Sequence, residues 1–549
     1  MININFDHKI IPSRTSNKFL FLILIGFLGL SCITTSKGRK NIDKQPNILF
    51  IAVDDLKPLL GSYGNQVIKT PNIDKLSSQA TVFLNNHCQQ AVCGPSRSSL
   101  LTGLYPDHTK VWDLQTLIRD KNPEILTLPQ HFKNNGYQTV AFGKIFDLRS
   151  VDKGHDKKSW TIPYKNIDPS EMEASSSLVD AENRIIGPAL GHYQKLETKK
   201  LIAKFIKEGR KNGVKNPRAY ALSKIKPVTE CIEIEDEGYM DGIIAKRGIE
   251  TLSEFAGSEK PFFLALGFKK PHLPFVAPKK YWDMYESDEV AMAQFQNKAK
   301  GSPSQAYHNS GEIGKYTDDE GNFIYQNLKN ERLSEDVQKH LIHGYYASVS
   351  YIDAQVGKVL DKLRELSLDD NTIVILWGDH GWHLGDHGLW CKHSNFEQAT
   401  RSPMILSIPD VDGQKISTPS SFVDIFPTLS DLAGIELPSH LEGNNLAPLI
   451  KGKESRIAKY AVSQYRRGEQ IMGYAIRSDR YRFVKWIQRD YRNSPPYNSG
   501  KTIATELYDY EKDPNETVNQ ANETEYQQIV EEHEEYLQEF FVKMSKANN

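Results

Sequence analysis

Three apolar runs of strand length in this 549-residue chain lead into residues that could do chemistry. Run 47–53 ends in Asp54-Asp55, run 261–266 leads to Lys270-Pro271-His272, and run 372–377 leads to Gly378-Asp379-His380. A single carboxylate after a strand is ordinary and caps a helix or sits in a solvated turn. Their shared position at strand ends points instead to one hard-cation site, because calcium takes several oxygen ligands from carboxylates. A fourth segment, Cys93-Gly94-Pro95-Ser96-Arg97-Ser98-Ser99-Leu100-Leu101-Thr102-Gly103, places a thiol one helical turn before an arginine.

The elements that must position these residues follow from hydrophobic periodicity. Continuous apolar runs of six or seven residues are typical of buried parallel strands, whose C-terminal ends gather α/β sites. Between them lie helical patterns, the clearest from 346 to 366, where Val349, Ile352, Val356, Val359, Leu360 and Leu363 recur at near-helical spacing. Strands alternating with helices predict a layered α/β domain. Residues 150–226 are polar and irregular and read as loops and insertions over the sheet. After residue 452 short strand-like runs, such as Tyr474-Ala475-Ile476 and Tyr481-Arg482-Phe483-Val484, precede a charged helix from Glu525. They predict a smaller C-terminal α+β subdomain with an antiparallel sheet. Hydrophobic residues are 39% and charged residues 25%, which allows a sizeable core. A net charge of −1 gives no field that favours nucleic acid, so an anionic substrate must meet a local cluster of cations.

The Cys-x-Pro-x-Arg motif at Cys93–Arg97, with Leu101-Thr102-Gly103, resembles the type I sulfatases, as does Gly378-Asp379-His380-Gly381. Lys270-Pro271-His272-Leu273-Pro274-Phe275 and Leu389-Trp390-Cys391-Lys392-His393-Ser394-Asn395-Phe396 resemble the iduronate-2-sulfatase branch of that family. The resemblance implies an alkaline-phosphatase-like layered sheet flanked by helices. It also implies that Cys93 is oxidised to formylglycine by a formylglycine-generating or anaerobic sulfatase-maturing enzyme. The hydrated aldehyde offers a geminal diol: one hydroxyl attacks the sulfate ester to give a covalent sulfo-enzyme, and the other expels sulfate as the aldehyde re-forms. By the same resemblance Asp54, Asp55, Asp379, His380 and the modified Cys93 hold calcium. His380, a soft partner for a hard cation, has contact with the sulfate as its other expectation. Arg97 holds the diol, and Lys144, His272 and Lys392 ring the sulfate. His272 or Lys392 protonates the leaving sugar oxygen, His272 being the better acid near neutral pH.

One position departs from the family. Three residues after Lys144 the iduronate branch has a histidine, and this chain has Asp147. An ionised carboxylate cannot donate to a sulfate oxygen, so Asp147 is expected on a sugar hydroxyl, with His155 as a replacement for the missing group. The other conspicuous residues have plainer expectations. His383, His387 and His393 are loop or substrate-rim residues. Cys88 and Cys391 are free structural thiols, Cys231 has no obvious partner, and Trp112, Trp377 and Trp390 are core or wall.

Residues 1–32, with Lys9, Arg14 and Lys18 before the apolar run 19–30 and Ser31-Cys32 after it, read as an export signal with a lipoprotein-like site at Cys32. Residues 33–46 are then a tether, 47–452 the catalytic domain and 453–549 the subdomain, in the periplasm or on an outer-membrane lipid anchor. The expected substrate is a sulfated polysaccharide or oligosaccharide, algal such as ulvan or carrageenan, or a glycosaminoglycan. The alternatives are a phosphonate or phosphodiester hydrolase of the same superfamily and a non-catalytic lipoprotein that binds sulfated glycans.

Overall fold

The computed structural model describes residues 45–167, 192–286, 290–325, 332–493 and 500–546. The expected export signal, the Ser31-Cys32 site and nearly all of the tether lie outside the described residues. A seven-stranded sheet organises the molecule: β1 (Asn47–Val53), β2 (Thr81–Phe83), β3 (Gln138–Gly143), β4 (Phe262–Phe268), β5 (Thr372–Gly378), β6 (Met404–Ser407) and β7 (Gln414–Ile416). Its order is β7-β2-β6-β5-β1-β4-β3. β1 lies beside the central strand β5, parallel to both β4 and β5, and β3 continues the parallel half beside β4. β6 runs antiparallel to β5 and β2, so the sheet is mixed.

The continuous apolar character of β1 has a simple cause: both faces of the sheet are covered. Leu49, Ile51 and Val53 face one core with the helices Met240–Phe255 and Glu335–Glu365, while Ile48, Phe50 and Ala52 face the other with Cys93–Thr102 and Ile425–Leu432. The long helix begins at Glu335, well before the expected 346. The Ser334 side chain accepts from the Val337 N–H, acids fill the first turn, and Lys362 and Arg364 fill the last. Caps and the helix dipole therefore mark both ends.

Residues 150–226 are not all loop. A 16-residue helix spans Leu196–Lys211 and turns Thr198, Ile202 and Ile206 inward against Tyr193, Ala221 and Ile225. Its many lysines on the outer face masked a narrow apolar stripe at i, i+4 spacing. Residues 168–191 of the stretch lie outside the described residues.

The C-terminal strands Ala461–Arg467, Ile471–Arg477, Tyr481–Gln488 and Lys501–Asp509 form an antiparallel meander. Met472, Tyr474, Phe483 and Leu507 on one face pack on Leu537 and Phe541 of the helix Gln527–Lys546. This sheet has its own core, yet it is tied to the main body by an Arg477–Glu397 ion pair at 2.9 Å and a backbone bond from Gln464 to Gln89. The described residues from Gln45 onward form one compact unit.

Two glycines let the ends of β3 and β4 approach. Gly143 has φ of +74°, and a Cβ on Gly267 would sit 2.2 Å from the Lys144 carbonyl oxygen. That closeness sets where Lys144 leaves the sheet, and Lys144 N–H donates to the Gly267 carbonyl at 2.8 Å. Gly267→Ala is therefore expected to destabilise the fold by about 1–3 kcal/mol through overpacking against backbone. Denaturant unfolding measures it, and a midpoint equal to wild type contradicts the stated packing.

Candidate active site

The C-terminal ends of β1 and β5 deliver Asp54, Asp55, Asp379 and His380 into one buried volume, and Cys93 enters it as the first residue of the helix Cys93–Thr102. Consecutive residues of a strand point to opposite faces. Asp55 escapes that alternation with φ of +63°, and its N–H donates to Asp379 Oδ1 at 2.9 Å. Tyr345, from the long helix, holds the same turn by donating to the Asp55 carbonyl at 2.9 Å.

Arg97 is fully buried beneath the carboxylates. Its Nε donates to Asp379 Oδ2 at 2.8 Å and Nη2 to Asp54 Oδ1 at 3.2 Å. Nη1 donates to the carbonyls of Ile145 and Lys144, and the guanidinium lies over the Trp377 ring. Four of its five protons are thus committed to carboxylates and backbone. Arg97 is first a brace for the acids, and a single Nη2 proton remains for anything beside Cys93. Lys144 Nζ sits on both Asp54 oxygens at 2.7 and 2.8 Å. Burial opposes the charge of Asp54, but Lys144 and then Arg97 outweigh it and hold the carboxyl well below the usual range. Burial pushes Asp55 the other way, well up, because Asp54 and Asp379 repel its charge and Lys392 offsets them only in part.

His380 Nδ1 lies 2.9 Å from the Gly381 carbonyl, which fixes the proton on that nitrogen. Its Nε2 lone pair then faces Asp55 Oδ1 at 3.3 Å, Asp379 Oδ1 at 3.7 Å and Cys93 Sγ at 3.3 Å. Burial lowers its pKa to about 4, so the ring is neutral. Lone pairs that converge in this way repel unless a proton or a cation lies among them. Asp55, Cys93, Asp379 and His380 each offer a ligand atom within 4.8 Å of the others, as do Asp54, Asp55, Cys93 and His272. This donor set fits a divalent cation, with the carboxylates as its hard part. Burial raises the Cys93 thiol well above its ordinary pKa, and Asp54 adds to the shift. Unmodified, it is a neutral thiol and a poor nucleophile.

On the open side Lys392 Nζ contacts Asp55 at 3.1 Å and Glu312 at 2.9 Å, and lies over the Trp382 ring. Burial opposes its charge, and Asp55 and Glu312 outweigh burial, so its pKa is raised. His272 is about one-quarter exposed, with Nε2 at 3.3 Å from Glu312 and 3.8 Å from Asp55. Burial and then Lys392 push it down to about 3. The expectation of an imidazolium ready to donate at neutral pH is therefore not met in this state.

Asp147 is 2% exposed, and Arg149 takes both its oxygens at 2.8 Å, with Lys144 at 3.6 Å. The sequence placed it on a sugar hydroxyl, but it is buried beside Lys144 and its oxygens are taken by Arg149. The reason is local: an arginine two residues on reaches it first. His155 Nε2 accepts from the Phe146 N–H at 3.2 Å and its ring stacks on Tyr164, so it braces the turn after Lys144. His383 and His387 are buried, His387 stacked on Phe396, and of the three expected rim histidines His393 is the partly exposed one. Cys88, Cys231 and Cys391 are free. Sequence reasoning missed Glu312, Arg149 and Trp382. Glu312 and Arg149 stand in stretches without periodicity or motif, while Trp382, two residues after His380, was within reach of attention.

The chain matches the family described as Sulfatase over residues 46–435, and the one described as N-sulphoglucosamine sulphohydrolase, C-terminal, over 385–543. It is 30% identical to iduronate 2-sulfatase of Mus musculus over 94% of this chain and 98% of that protein. Its fold is similar to that of BT4656, solved with its substrate D-glucosamine-2-N,6-O-disulfate, with a TM-score of 0.65 at 20% identity. That likeness covers 92% of this chain and 99% of the other. The phosphonate monoester hydrolase of Agrobacterium radiobacter gives a TM-score of 0.66 at 21% identity, over 91% and 96% of the two chains.

Removing the Arg97 charge leaves two buried carboxylates without their brace. Arg97→Met is expected to cost about 3–5 kcal/mol of stability. Chemical denaturation checks this, and a loss under 1 kcal/mol contradicts the bracing role.

Proposed function

The chain belongs to the sulfatase family and is a sulfuric ester hydrolase, and on that premise we propose that it removes sulfate from a sulfated polysaccharide or oligosaccharide, using a formylglycine made from Cys93 beside a calcium ion. The observation that carries this is the convergence of the Asp55, Asp379 and His380 lone pairs on Cys93, with Arg97, Lys144 and Lys392 around them.

Asp54, Asp55, Asp379 and His380 would hold the cation, which supplies positive charge to a sulfate oxygen when bound. The hydrated aldehyde at position 93 supplies the attacking hydroxyl and the second hydroxyl that frees the product. The chain's own groups do the rest. Position 93 opens a ten-residue helix, whose N-terminal N–H groups favour negative charge there. Lys144 spends two protons on Asp54 and keeps one for a sulfate oxygen. Lys392 holds a proton on the open side, and with His272 it faces the group that leaves. Arg97 helps to keep Asp54 charged and holds both Asp54 and Asp379 in place. Preorganised donors of this kind need no rearrangement as charge builds on the sulfate.

A sulfated carbohydrate is favoured by relatives whose names carry one: iduronate 2-sulfatase, and BT4656 with its disulfated glucosamine. Maturation by a formylglycine-generating or anaerobic sulfatase-maturing enzyme follows from Cys93–Arg97, and export as a periplasmic or Cys32-lipidated protein from residues 1–32. A second reading, phosphonate ester hydrolysis, rests on the equal fold likeness to the phosphonate monoester hydrolase.

Co-expression with a maturation enzyme is expected to convert the Cys93 thiol to an aldehyde, visible by mass spectrometry of the peptide that spans it. The matured protein should release inorganic sulfate from 4-nitrophenyl sulfate at least a hundredfold faster than Cys93→Ala, and faster than it cleaves a phenyl phosphonate ester. Full activity in Cys93→Ala sinks the proposal, and a preference for the phosphonate establishes the second reading.

A further inference from the structure

Asp147 and Arg149 have no part in the chemistry above, yet they sit against it. A Cβ on Gly94 would meet Ser150 Oγ at 2.7 Å, so the chain at 149–150 passes directly beside the helix start that carries Cys93. The Asp147 hydrogen bond, and with it the Asp54 charge, raises Arg149 above its ordinary value. The Arg149 side chain is 52% exposed, in contrast to the buried carboxylate that holds it.

The geometry of that hold is specific. Nε and Nη2 bond the two Asp147 oxygens at 2.8 Å each, and the Arg149 N–H adds a third bond to Oδ1 at 3.0 Å. Nη1 makes no hydrogen bond among the described residues. A free surface arginine samples many rotamers, and fixing one costs conformational entropy. Here a buried carboxylate has already fixed it, and the outer edge of the fork faces water. Asp147 also cancels its own unfavourable effect: alone it would repel a sulfate held by Lys144, and paired it presents a half-exposed guanidinium.

We infer that Arg149 is a specificity-determining residue that binds a second oxyanion of the substrate, a carboxylate or a further sulfate ester next to the scissile one, and that Asp147 is its positioning residue. This rests on the sulfated-carbohydrate reading of the same site. A planar guanidinium suits such a group because it offers parallel donors to two oxygens.

The test uses the matured full chain, with 4-nitrophenyl sulfate as reporter and sulfated disaccharides as competitive inhibitors. The disaccharides come in two pairs: a uronate against its reduced alcohol, and a disulfated sugar against its monosulfated counterpart. Wild type is expected to bind the anionic member of one pair at least tenfold more tightly, and that pair identifies the oxyanion. Arg149→Gln and Arg149→Ala should bring the ratio to near one, Arg149→Lys should retain part of it, and Asp147→Ala should lower it by loosening the guanidinium. Calorimetric binding of the same pairs repeats the comparison without turnover, so a failure of sulfatase activity is distinguished from a failure of this assignment. The inference is overturned if wild type does not discriminate in either pair, or if Arg149→Ala keeps the ratio. It is also overturned if Arg149→Ala weakens both members equally, as Lys144→Ala is expected to do.

Discussion

The site depends on one constraint: Asp54, Asp55 and Asp379 occupy the same buried volume at the ends of two adjacent parallel strands. Buried like charges so close are costly unless they are paired. The surrounding polar architecture is arranged around that cost. Arg97 spans Asp54 and Asp379, Lys144 covers Asp54, Lys392 covers Asp55, and Asp55 is pushed toward its protonated form. Four carboxylates, counting Glu312, stand against three cations, so full ionisation leaves one negative charge, which the proton pushed onto Asp55 offsets until a metal replaces it. A divalent cation would turn that to one positive charge, which a sulfate monoester anion would neutralise. The same crowding that disfavours the site alone is what suits it to a metal and an anionic substrate together.

The fold serves this arrangement at each level. The parallel pairing of β1 with β5 brings Asp54-Asp55 and Asp379-His380 to one edge, and the Gly143–Gly267 approach sets Lys144 beside them. Tyr345 carries the position of the long helix to the Asp55 turn. The C-terminal sheet reaches the open side, where Arg467 donates to the His393 carbonyl at 3.0 Å, next to Lys392. The C-terminal sheet thus braces the segment that carries Lys392, while Arg97 comes from the helix Cys93–Thr102 and Lys144 from the turn after β3.

The parts legible in the sequence were those with a periodic or spaced signal. Six- and seven-residue apolar runs revealed β1, β4 and β5, and Cys93 with Arg97 one turn later revealed the start of the active helix. The Leu196–Lys211 helix was missed because its apolar stripe is narrow and its outer face lysine-rich. Glu312 was missed because it is a lone acid in an irregular stretch, placed by tertiary packing. Asp147 could be recognised as a departure, but its partner could not. Whether a carboxylate meets a sugar or a neighbouring arginine is decided by side-chain direction, which spacing does not encode. Arg97 was assigned to the diol from resemblance, and its bracing of two carboxylates emerged only from the geometry.

The charge assignment is tested most directly by calorimetric titration of the metal-stripped protein with calcium at two pH values that bracket neutrality. It predicts one calcium ion per chain, proton release on binding as Asp55 gives up its proton, and loss of binding in Asp55→Asn with Arg97 and Lys144 intact. Absence of binding in the wild type, or binding that survives Asp55→Asn undiminished, would contradict a cation site built on these carboxylates.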